Sequence, residues 1–248
     1  MVKPPGSARS AKPSGRTSRR GRPPRAPAGP GAGAAEAALR ERFQALFDHD
    51  RELGARGYRL IAGVDEAGRG ALAGPVVSAA VVLRPDCDLI RVYDSKAVEE
   101  ADRESIFLDI IASSVSVGIG IAHAGVIDRD NILRATLATM HRAVAALRPA
   151  PDIVLIDGRE GIQWPGTVVP LVKGDSRSLC VAAASIVAKV ARDRVMRRLH
   201  GRDPRYHFDR NKGYGTRDHL AALTAHGPAA VHRRTFLGKI VENNLSMF

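Results

Sequence analysis

The sequence has few residues of several kinds, and each scarcity excludes a class of protein. Its 248 residues include only two cysteines, Cys87 and Cys180, with no nearby histidine pair, so the sequence supports neither a disulfide framework nor a zinc site. We expect two reduced thiols in the core of a cytoplasmic protein. No apolar run approaches the roughly 18 residues that are needed to cross a bilayer, so we expect no membrane contact.

Acidic residues are absent from the first 35 positions. This segment carries eight of the 38 lysines and arginines of a chain whose net charge is +12, together with seven of its 15 prolines. With almost nothing to bury, residues 1–35 are predicted to form a disordered basic arm. The arm either adds salt-sensitive affinity for nucleic acid or is a solubilising leader. A secretory signal is not expected because an apolar core is lacking. The arginines, the serines and the lack of acids fit an organelle transit peptide, but the density of proline and glycine argues against the amphipathic helix that such peptides form.

The rest of the chain has the periodicity of alternating helices and strands. Helices are predicted over 36–56, 99–113, 131–147, 178–199 and from 216 onward. Strands are predicted over 58–64, 74–83, 115–122, 152–156 and 168–172. This order predicts an α/β domain with a mixed sheet that is covered on both faces. We therefore divide the chain into the arm (1–35), a leading helix (36–57) and one folded domain (58–248).

Acidic side chains stand where three of the predicted strands end. Asp65 and Glu66 follow the first strand, Asp157 follows the fourth, and Asp175 lies between the fifth strand and the long helix. Sites of α/β proteins are built at such strand ends, and several carboxylates gathered there repel one another unless a cation lies between them. Oxygen ligands of this kind suit Mg²⁺ or Mn²⁺. Two such ions about 4 Å apart hold the attacking and leaving oxygens of a phosphoryl transfer.

Each acid also has a simpler interpretation. An aspartate at a strand end often caps the next turn, and Asp175 precedes the long helix closely enough to cap it. Neighbouring strand residues point to opposite faces, so Asp65 and Glu66 can serve one site only if the strand ends or bends between them. We expect the glycine-rich segment 67–70 to supply that bend.

The first of two glycine-rich loops follows the Asp-Glu pair. The spacing of Gly68, Gly70 and Gly74 is one residue too long for a dinucleotide-binding fingerprint, and a strand follows instead of a helix, so NAD binding is rejected. No Walker A motif occurs either. We expect the backbone of Gly68 and Gly70 to approach a sugar-phosphate closely, with Arg69 holding a phosphate. The alternative is a tight hairpin turn.

The second glycine-rich loop covers residues 211–216 and has Tyr214 between two glycines. Such a ring is poorly positioned for core packing and can stack on a sugar or a base. The alternative is a tyrosine folded back on the surface. A polar turn at 94–96 adds Lys96 as a further phosphate contact.

Six segments of the chain resemble bacterial ribonuclease HII, in the order of that family. They are IAGVDEAGRGALAGPVVSAAVVL (61–83), DSK (94–96), LIDG (155–158), KGDSRSLCVAAASIVAKVARDR (173–194), NKGYGTRDHLAAL (211–223) and GPAAVHRRTF (227–236). The DEAGRG and KGYGT segments together are highly specific. The resemblance covers about residues 58 to 236.

This resemblance implies a fold and an activity. The fold is ribonuclease-H-like: a mixed five-stranded sheet flanked by helices, with a small helical C-terminal part and with 58–248 as the catalytic domain. The activity is that of an endonuclease that cuts RNA paired with DNA and cuts on the 5′ side of single ribonucleotides embedded in duplex DNA, leaving 5′-phosphate and 3′-hydroxyl ends. The cellular role would be the removal of misincorporated ribonucleotides, and we expect a monomer.

The resemblance also assigns site residues by position. Asp65, Glu66, Asp157 and Asp175 match the catalytic acids, which would hold one or two Mn²⁺ or Mg²⁺ ions, with Asp65 the best candidate to bridge them. The other matches are substrate contacts. Segment 68–70 matches the motif that grips the ribonucleotide 2′-hydroxyl through backbone atoms, Tyr214 matches the tyrosine that stacks at the RNA–DNA junction, and Lys96 is retained.

Departures from the family pattern are small. The family often has DSKKL where this chain has DSKAV at 94–98, which puts a second lysine contact in doubt, and HRRTF stands for the more usual HRxSF. The arm has no counterpart in the pattern. The sister family, ribonuclease HIII, has a folded N-terminal domain and typically a glutamate as its fourth acid, whereas this chain has Asp175.

Two other functions fit parts of the sequence. A non-catalytic basic nucleic-acid-binding protein explains the charge but leaves the acids as a repulsive cluster without a role. A different nuclease or an integrase could use the same fold. Chelation of metal ions distinguishes a binding protein from an enzyme, because it should abolish cleavage but barely affect simple binding. A panel of nucleic-acid substrates distinguishes another nuclease or an integrase.

Overall fold

The computed structural model describes Met1, residues 30–92 and residues 100–238. Most of the predicted arm and the polar turn with Lys96 therefore lie outside the described residues. Within the described ranges, no helix combines the length and the apolar character that crossing a membrane requires.

Five strands and seven α-helices make up the described part of the chain. The strands are β1 (Ile61–Ala67), β2 (Val76–Leu83), β3 (Ser114–Ala122), β4 (Ile153–Asp157) and β5 (Thr167–Leu171). The helices are α1 (Pro30–Ala55), α2 (Glu100–Ser113), α3 (Ala124–Asp130), α4 (Ile132–Ala145), α5 (Leu179–Arg202), α6 (Phe208–Asn211) and α7 (Arg217–His226). Short 3₁₀ turns cover Gly174–Ser176 and Pro204–Tyr206.

The strands form one mixed sheet in the order β3-β2-β1-β4-β5. The central strand β1 pairs antiparallel with β2 and parallel with β4, and the outer pairs are β2 with β3, antiparallel, and β4 with β5, parallel. The expected mixed five-stranded sheet is thus confirmed. Its β1–β4–β5 part places the carboxyl ends of three parallel strands along one edge.

Helix α5 lies on one face of the sheet and helix α4 on the other. A side chain at Gly63 of β1 would lie 2.0 Å from the carbonyl carbon of Cys180, so the start of α5 contacts β1 only because that position is glycine. The alanines at 182–184 are fully buried, as expected for a helix lying close to a sheet. Cys87 and Cys180 are both buried and free, as expected.

Several element boundaries differ from the sequence-based expectation. Helix α1 begins at Pro30, within the segment assigned to the arm. Proline suits the first turn of a helix because an N–H group there has no partner within the helix, so its absence costs nothing. Strand β1 ends at Ala67, three residues later than predicted, because its pairing with β2 continues through Ala67 and Val77. Helix α4 begins where predicted, and the side chain of Asn131 caps it by accepting a hydrogen bond from the Arg134 backbone N–H at 3.0 Å.

The residues after α5 form the small helical C-terminal part that was expected. Tyr206 and Phe208 are fully buried there and stack with ring centroids 5.5 Å apart. An isolated β-bridge between Ala73 and His232 joins this part to the loop that follows β1. The C-terminal part therefore lies beside the edge where the acids stand.

Candidate active site

Asp65 and Asp157 lie side by side on neighbouring strands. The last residue pair between β1 and β4 is Val64 with Ile156, and each aspartate is the next residue on its strand. Adjacent strands lie about 4.8 Å apart, so the two backbones are close. Val64 and Ile156 pack into the apolar cluster on the α4 side, so alternation directs both aspartates to the face that α5 covers.

Asp65 is buried at the centre of this edge. Burial is the largest cause that raises the pKa of Asp65 well above its ordinary value, and the charge of Glu66 is the next. A hydrogen bond with Ser185 of α5 opposes the shift, and the charge of Asp157 adds to it. Glu66 and Asp157 thus lie close enough to disfavour the charge of Asp65.

Glu66 belongs to the other face of β1. Strand β1 continues to Ala67, and the sharp turn comes at Gly68, whose φ is 95°, so the expected bend between Asp65 and Glu66 is wrong. Glu66 nevertheless lines one cavity of about 390 Å³ together with Asp157. Both residues line it because β4 ends at Asp157 and leaves the last residues of β1 without a strand on that side.

Asp157 connects the edge to the turn that precedes α5. Its Oδ1 accepts a hydrogen bond from the Gly174 backbone N–H at 2.7 Å. The next residue, Asp175, is half-buried, and its carboxylate accepts a hydrogen bond from the Ser176 hydroxyl at 3.3 Å. Asp175 does not cap α5, because Ser178 is the capping residue and accepts from the Val181 N–H. The structure therefore brings the Asp175 backbone beside Asp157 while its carboxylate contacts Ser176.

The donor set at this edge fits a hard divalent cation. Asp65, Glu66 and Asp157 offer only carboxylate oxygens, which Mg²⁺ and Mn²⁺ prefer. Their mutual repulsion, seen in the raised pKa of Asp65, is what a cation would relieve. Among the described residues no group of three or more His, Cys, Asp or Glu is arranged so that it could hold a metal ion. Glu66 contacts Arg69, so cation binding requires the Glu66 carboxylate to turn inward.

The loop after β1 presents backbone to solvent. A side chain at Gly68 would lie 1.9 Å from Nε of Arg192, whereas one at Gly70 would meet nothing within 4 Å. Arg69 and Gly70 are exposed, and the Arg69 guanidinium lies 3.4 Å from Glu66 Oε1. Packing therefore requires glycine at position 68, while position 70 is open to a ligand.

Two buried arginines hold this loop, and the sequence analysis missed both. Arg192 of α5 donates to the carbonyl oxygens of Pro75 at 3.0 Å and Ala73 at 3.2 Å. Arg233 donates to the carbonyl oxygens of Gly74 at 3.0 Å and Arg69 at 2.8 Å. Both are fully buried, and burial lowers the pKa of Arg233 to about 10. The burial of Arg192 could have been predicted, because its spacing of four residues from Ala188 and from Met196 places it on the buried face of α5.

Tyr214 lies beside the same loop. Tyr214 is 37% exposed, and the guanidinium carbon of Arg192 lies 5.2 Å from the centroid of the tyrosine ring. The backbone N–H groups of Leu72 and Ala73 donate to the Gly213 carbonyl at 2.8 and 3.2 Å, which joins the two glycine-rich loops directly. The two loops are therefore held together, with the partly exposed ring on one and the exposed Gly70 on the other. Lys96, the remaining predicted contact, lies outside the described residues.

A mixed five-stranded sheet with helices on both faces and carboxylates at one edge is the architecture of ribonuclease-H-like nucleases. The family profile described as Ribonuclease HII matches residues 62–239. A ribonuclease HII of Bacillus licheniformis is 46% identical over 199 residues, which cover 80% of this chain and 78% of that protein. The chain belongs to the ribonuclease HII family, and it is a ribonuclease H, a hydrolase that acts on nucleic acid.

Solved structures agree with this assignment. The ribonuclease H2 of Pyrococcus horikoshii OT3 superimposes with a TM-score of 0.61 at 26% identity, covering 75% of this chain and 98% of that one. A Bst-RNase HIII in complex with Mn²⁺ shares the fold, with a TM-score of 0.57 at 20% identity over 76% of this chain and 70% of that one. The resemblance and the fold expected from the sequence are thereby confirmed.

Proposed function

We propose that this ribonuclease H hydrolyses the RNA strand of RNA–DNA hybrids and cuts on the 5′ side of single ribonucleotides in duplex DNA, leaving 5′-phosphate and 3′-hydroxyl ends. The observation that carries the proposal is the edge where the charges of Glu66 and Asp157 act on Asp65, followed in the chain by the loop with the exposed residues Arg69 and Gly70. Such a site removes misincorporated ribonucleotides.

The acids are proposed to hold one or two divalent cations, Mn²⁺ or Mg²⁺. Asp65, Glu66 and Asp157 would hold the cations, and Asp175 would join them if its carboxylate turned away from Ser176. Asp65 is the best candidate to contact both ions because the charges of Glu66 and Asp157 both act on it. Bound cations supply activation of the attacking water and stabilisation of the leaving 3′-oxygen. Ser185 orients the Asp65 carboxylate through its hydrogen bond, and the Gly174 amide orients that of Asp157.

Recognition of the ribonucleotide is assigned to the two joined loops. The 2′-hydroxyl is what distinguishes RNA from DNA at a given position, and it is both a donor and an acceptor. The exposed backbone at Gly70 offers matching groups without an intervening side chain. Tyr214 offers a ring on which a base or a sugar stacks. In this scheme the loops determine specificity and the acids determine the rate.

One experiment tests the proposal against its rivals. The protein is incubated with four labelled substrates: an RNA–DNA hybrid, a DNA duplex with one ribonucleotide, plain duplex DNA and plain RNA. We expect cleavage of the first two only, on the 5′ side of the ribonucleotide, and its complete loss with EDTA. Cleavage of plain DNA indicates another nuclease of this fold. Binding without cleavage, unaffected by EDTA, indicates a non-catalytic binding protein.

A further inference from the structure

We propose that two buried histidines, His219 and His232, position Tyr214 through a directional chain of hydrogen bonds, and thereby determine how strongly the enzyme prefers a ribonucleotide junction. This inference rests on the proposed role of Tyr214. It assigns a task to two buried side chains outside the proposed set of catalytic acids. They are positioning residues, since they act on the substrate through the tyrosine.

The chain has three links. Nδ1 of His219 lies 2.9 Å from the carbonyl oxygen of Tyr214, and its Nε2 lies 3.0 Å from Nε2 of His232. Nδ1 of His232 lies 3.0 Å from the backbone nitrogen of Ala229. The two histidines are 0% and 2% exposed, so no link is shared with bulk solvent.

The Ala229 amide determines the direction of the whole chain. A backbone N–H can only donate, so Nδ1 of His232 accepts and carries no proton, and the proton of its neutral ring is on Nε2. That proton is donated to Nε2 of His219, which leaves the proton of His219 on Nδ1 to be donated to Tyr214. The Ala229 carbonyl lies farther from Nδ1 of His232, at 3.3 Å, and accepts the backbone N–H of that residue instead. Each ring is therefore restricted to one tautomer.

The surroundings keep both rings neutral. Tyr206 and Phe208 pack against both histidines, with ring centroids between 4.7 and 6.5 Å apart. Burial and then His219 lower the pKa of His232 to about 4, against the opposing effects of the Ala229 backbone and then of Asp203. Burial also lowers the pKa of His219, against the opposing effect of the Tyr214 carbonyl. An extra proton on Nδ1 of His232 would face the Ala229 N–H, and one on Nε2 of His219 would face the N–H of His232. Either would break the chain of hydrogen bonds.

The series of hydrogen bonds ends at the backbone carbonyl of Tyr214, whose position determines where the tyrosine ring lies. Lys212 and Gly213, just before Tyr214, have φ values of 49° and 82°, so the loop adopts a conformation that few residues favour and that needs external support. The Gly213 carbonyl is held by the glycine loop, and the Tyr214 carbonyl is held by His219. A base stacks well only on a ring at a fixed height and angle, and a displacement of about 1 Å can reduce a rate as much as a hundredfold.

The test compares two variants of His219. His219→Phe keeps an aromatic ring against Phe208 and removes both nitrogens, whereas His219→Asn retains an N–H donor near the position of Nδ1. Values of kcat and KM are measured on a duplex with one ribonucleotide and on a long RNA–DNA hybrid. We expect His219→Phe to reduce kcat/KM at least about tenfold on the single ribonucleotide and at most about twofold on the hybrid. His219→Asn restores most of the loss, and His226→Phe, at the exposed end of α7, changes neither value.

An equal loss on both substrates, or no loss on either, overturns the proposal. A second measurement does not depend on whether the variants fold. Nitrogen-15 NMR of the wild-type histidines reports which ring nitrogen carries the proton, and we expect Nδ1 for His219 and Nε2 for His232. The opposite tautomer on either ring overturns the hydrogen-bond chain. If the wild type cuts neither substrate, the proposed function fails, and the NMR result still decides whether the chain exists.

Discussion

At the scale of single residues, the proposed site depends on carboxylates that are unfavourable by themselves. Asp65 is buried beside two other acids, and its raised pKa shows that its charge is poorly compensated by protein groups. Buried charges of this kind are retained when a ligand needs them. Asp157 and Tyr214 each allow one substitution that removes the proposed role and spares the fold.

Asp157→Asn is expected to reduce cleavage by at least about a hundredfold, since substitutions even of residues that only support metal ligands cost 10–100-fold. Asparagine keeps an oxygen for the Gly174 N–H, so the turn before α5 is preserved. Binding to an RNA–DNA hybrid remains measurable by fluorescence anisotropy. Asp86→Asn, an exposed substitution beyond the opposite end of the sheet, is the control. Full activity of Asp157→Asn would remove this residue from the site.

Tyr214→Ala is expected to reduce cleavage at a single ribonucleotide by about tenfold or more, because stacking of a base on an aromatic ring contributes about 1–3 kcal/mol. Tyr214→Phe keeps the ring and retains most activity. The free energy of unfolding changes by no more than about 1 kcal/mol, since the residue is partly exposed and loses mainly its contact with Arg192. Kinetics on the single-ribonucleotide duplex and urea unfolding provide the two measurements. Unchanged kinetics in Tyr214→Ala would contradict the stacking role.

At the scale of elements, the two glycine-rich loops are held by residues from distant parts of the chain. Arg192 comes from α5, and Arg233 and His232 come from the segment after α7. Each of these groups is buried and bonded to backbone carbonyls or to another ring. The loops are therefore part of the packed interior on one side and exposed on the other, which lets their backbone be both rigid and accessible.

Two alanine substitutions distinguish the packed side of the loop after β1 from its exposed side. Gly68→Ala introduces a methyl group against the buried Arg192 at a positive φ, so we expect a loss of about 2 kcal/mol or more in the free energy of unfolding. Gly70→Ala meets nothing and changes stability by less than about 0.5 kcal/mol. The methyl group at 70 still obstructs a sugar, so kcat/KM on the ribonucleotide duplex falls. Unimpaired cleavage by Gly70→Ala would show that substrate does not approach this backbone.

The buried histidine pair gives this part of the fold a pH dependence. The pKa of His232 is lowered from 6.5 to about 4 by burial, so the unfolded chain takes up a proton below about pH 6.5 that the folded state resists. Its contribution to stability is therefore complete above pH 6.5 and is lost as the pH falls towards 4, by on the order of 2–3 kcal/mol.

Chemical unfolding at a series of pH values measures this loss. His232→Gln is expected to flatten the decline between pH 6.5 and 4, whereas His123→Gln, at an exposed histidine before α3, leaves it unchanged. A slope that persists in His232→Gln would assign the acid sensitivity to other groups.

At the scale of the whole molecule, positive charge that favours nucleic-acid contact and negative charge at the proposed catalytic edge lie in different parts of the sequence. The net charge of +12 favours contact with nucleic acid, and eight of the cations lie in the first 35 residues, whereas the proposed catalytic edge is acidic. A divalent cation at that edge would bind the folded state and not the unfolded chain. The stability of the molecule then depends on the metal concentration.

We expect Mn²⁺ at about a hundred times its dissociation constant to stabilise the wild type by about 2.7 kcal/mol and to raise its Tm by several degrees. Asp65→Asn is expected to be more stable than the wild type without metal, because it removes one of three repelling carboxylates. It also loses the response to Mn²⁺, whereas Asp86→Asn keeps it. Differential scanning calorimetry measures both effects, and an equal rise in Tm for wild type and Asp65→Asn would place metal binding elsewhere.

The sequence by itself determined the family, the five strands in their order and the strand-end position of the acids. These features are local: apolar periodicity marks strands and helices, and motifs such as DEAGRG are contiguous. The turn at Gly68 was predicted too, although it comes after Glu66 and not before it.

The tertiary structure decided which of these residues meet. Glu66 lines one cavity with Asp157 although β1 directs it to the other face, because β4 stops short of the end of β1. Arg233 reaches the glycine loop across 164 positions of sequence, and the histidine pair reaches Tyr214 only through the packing of α7. Such contacts depend on strand register and helix packing, which bring distant residues together and leave no periodic signal in the chain.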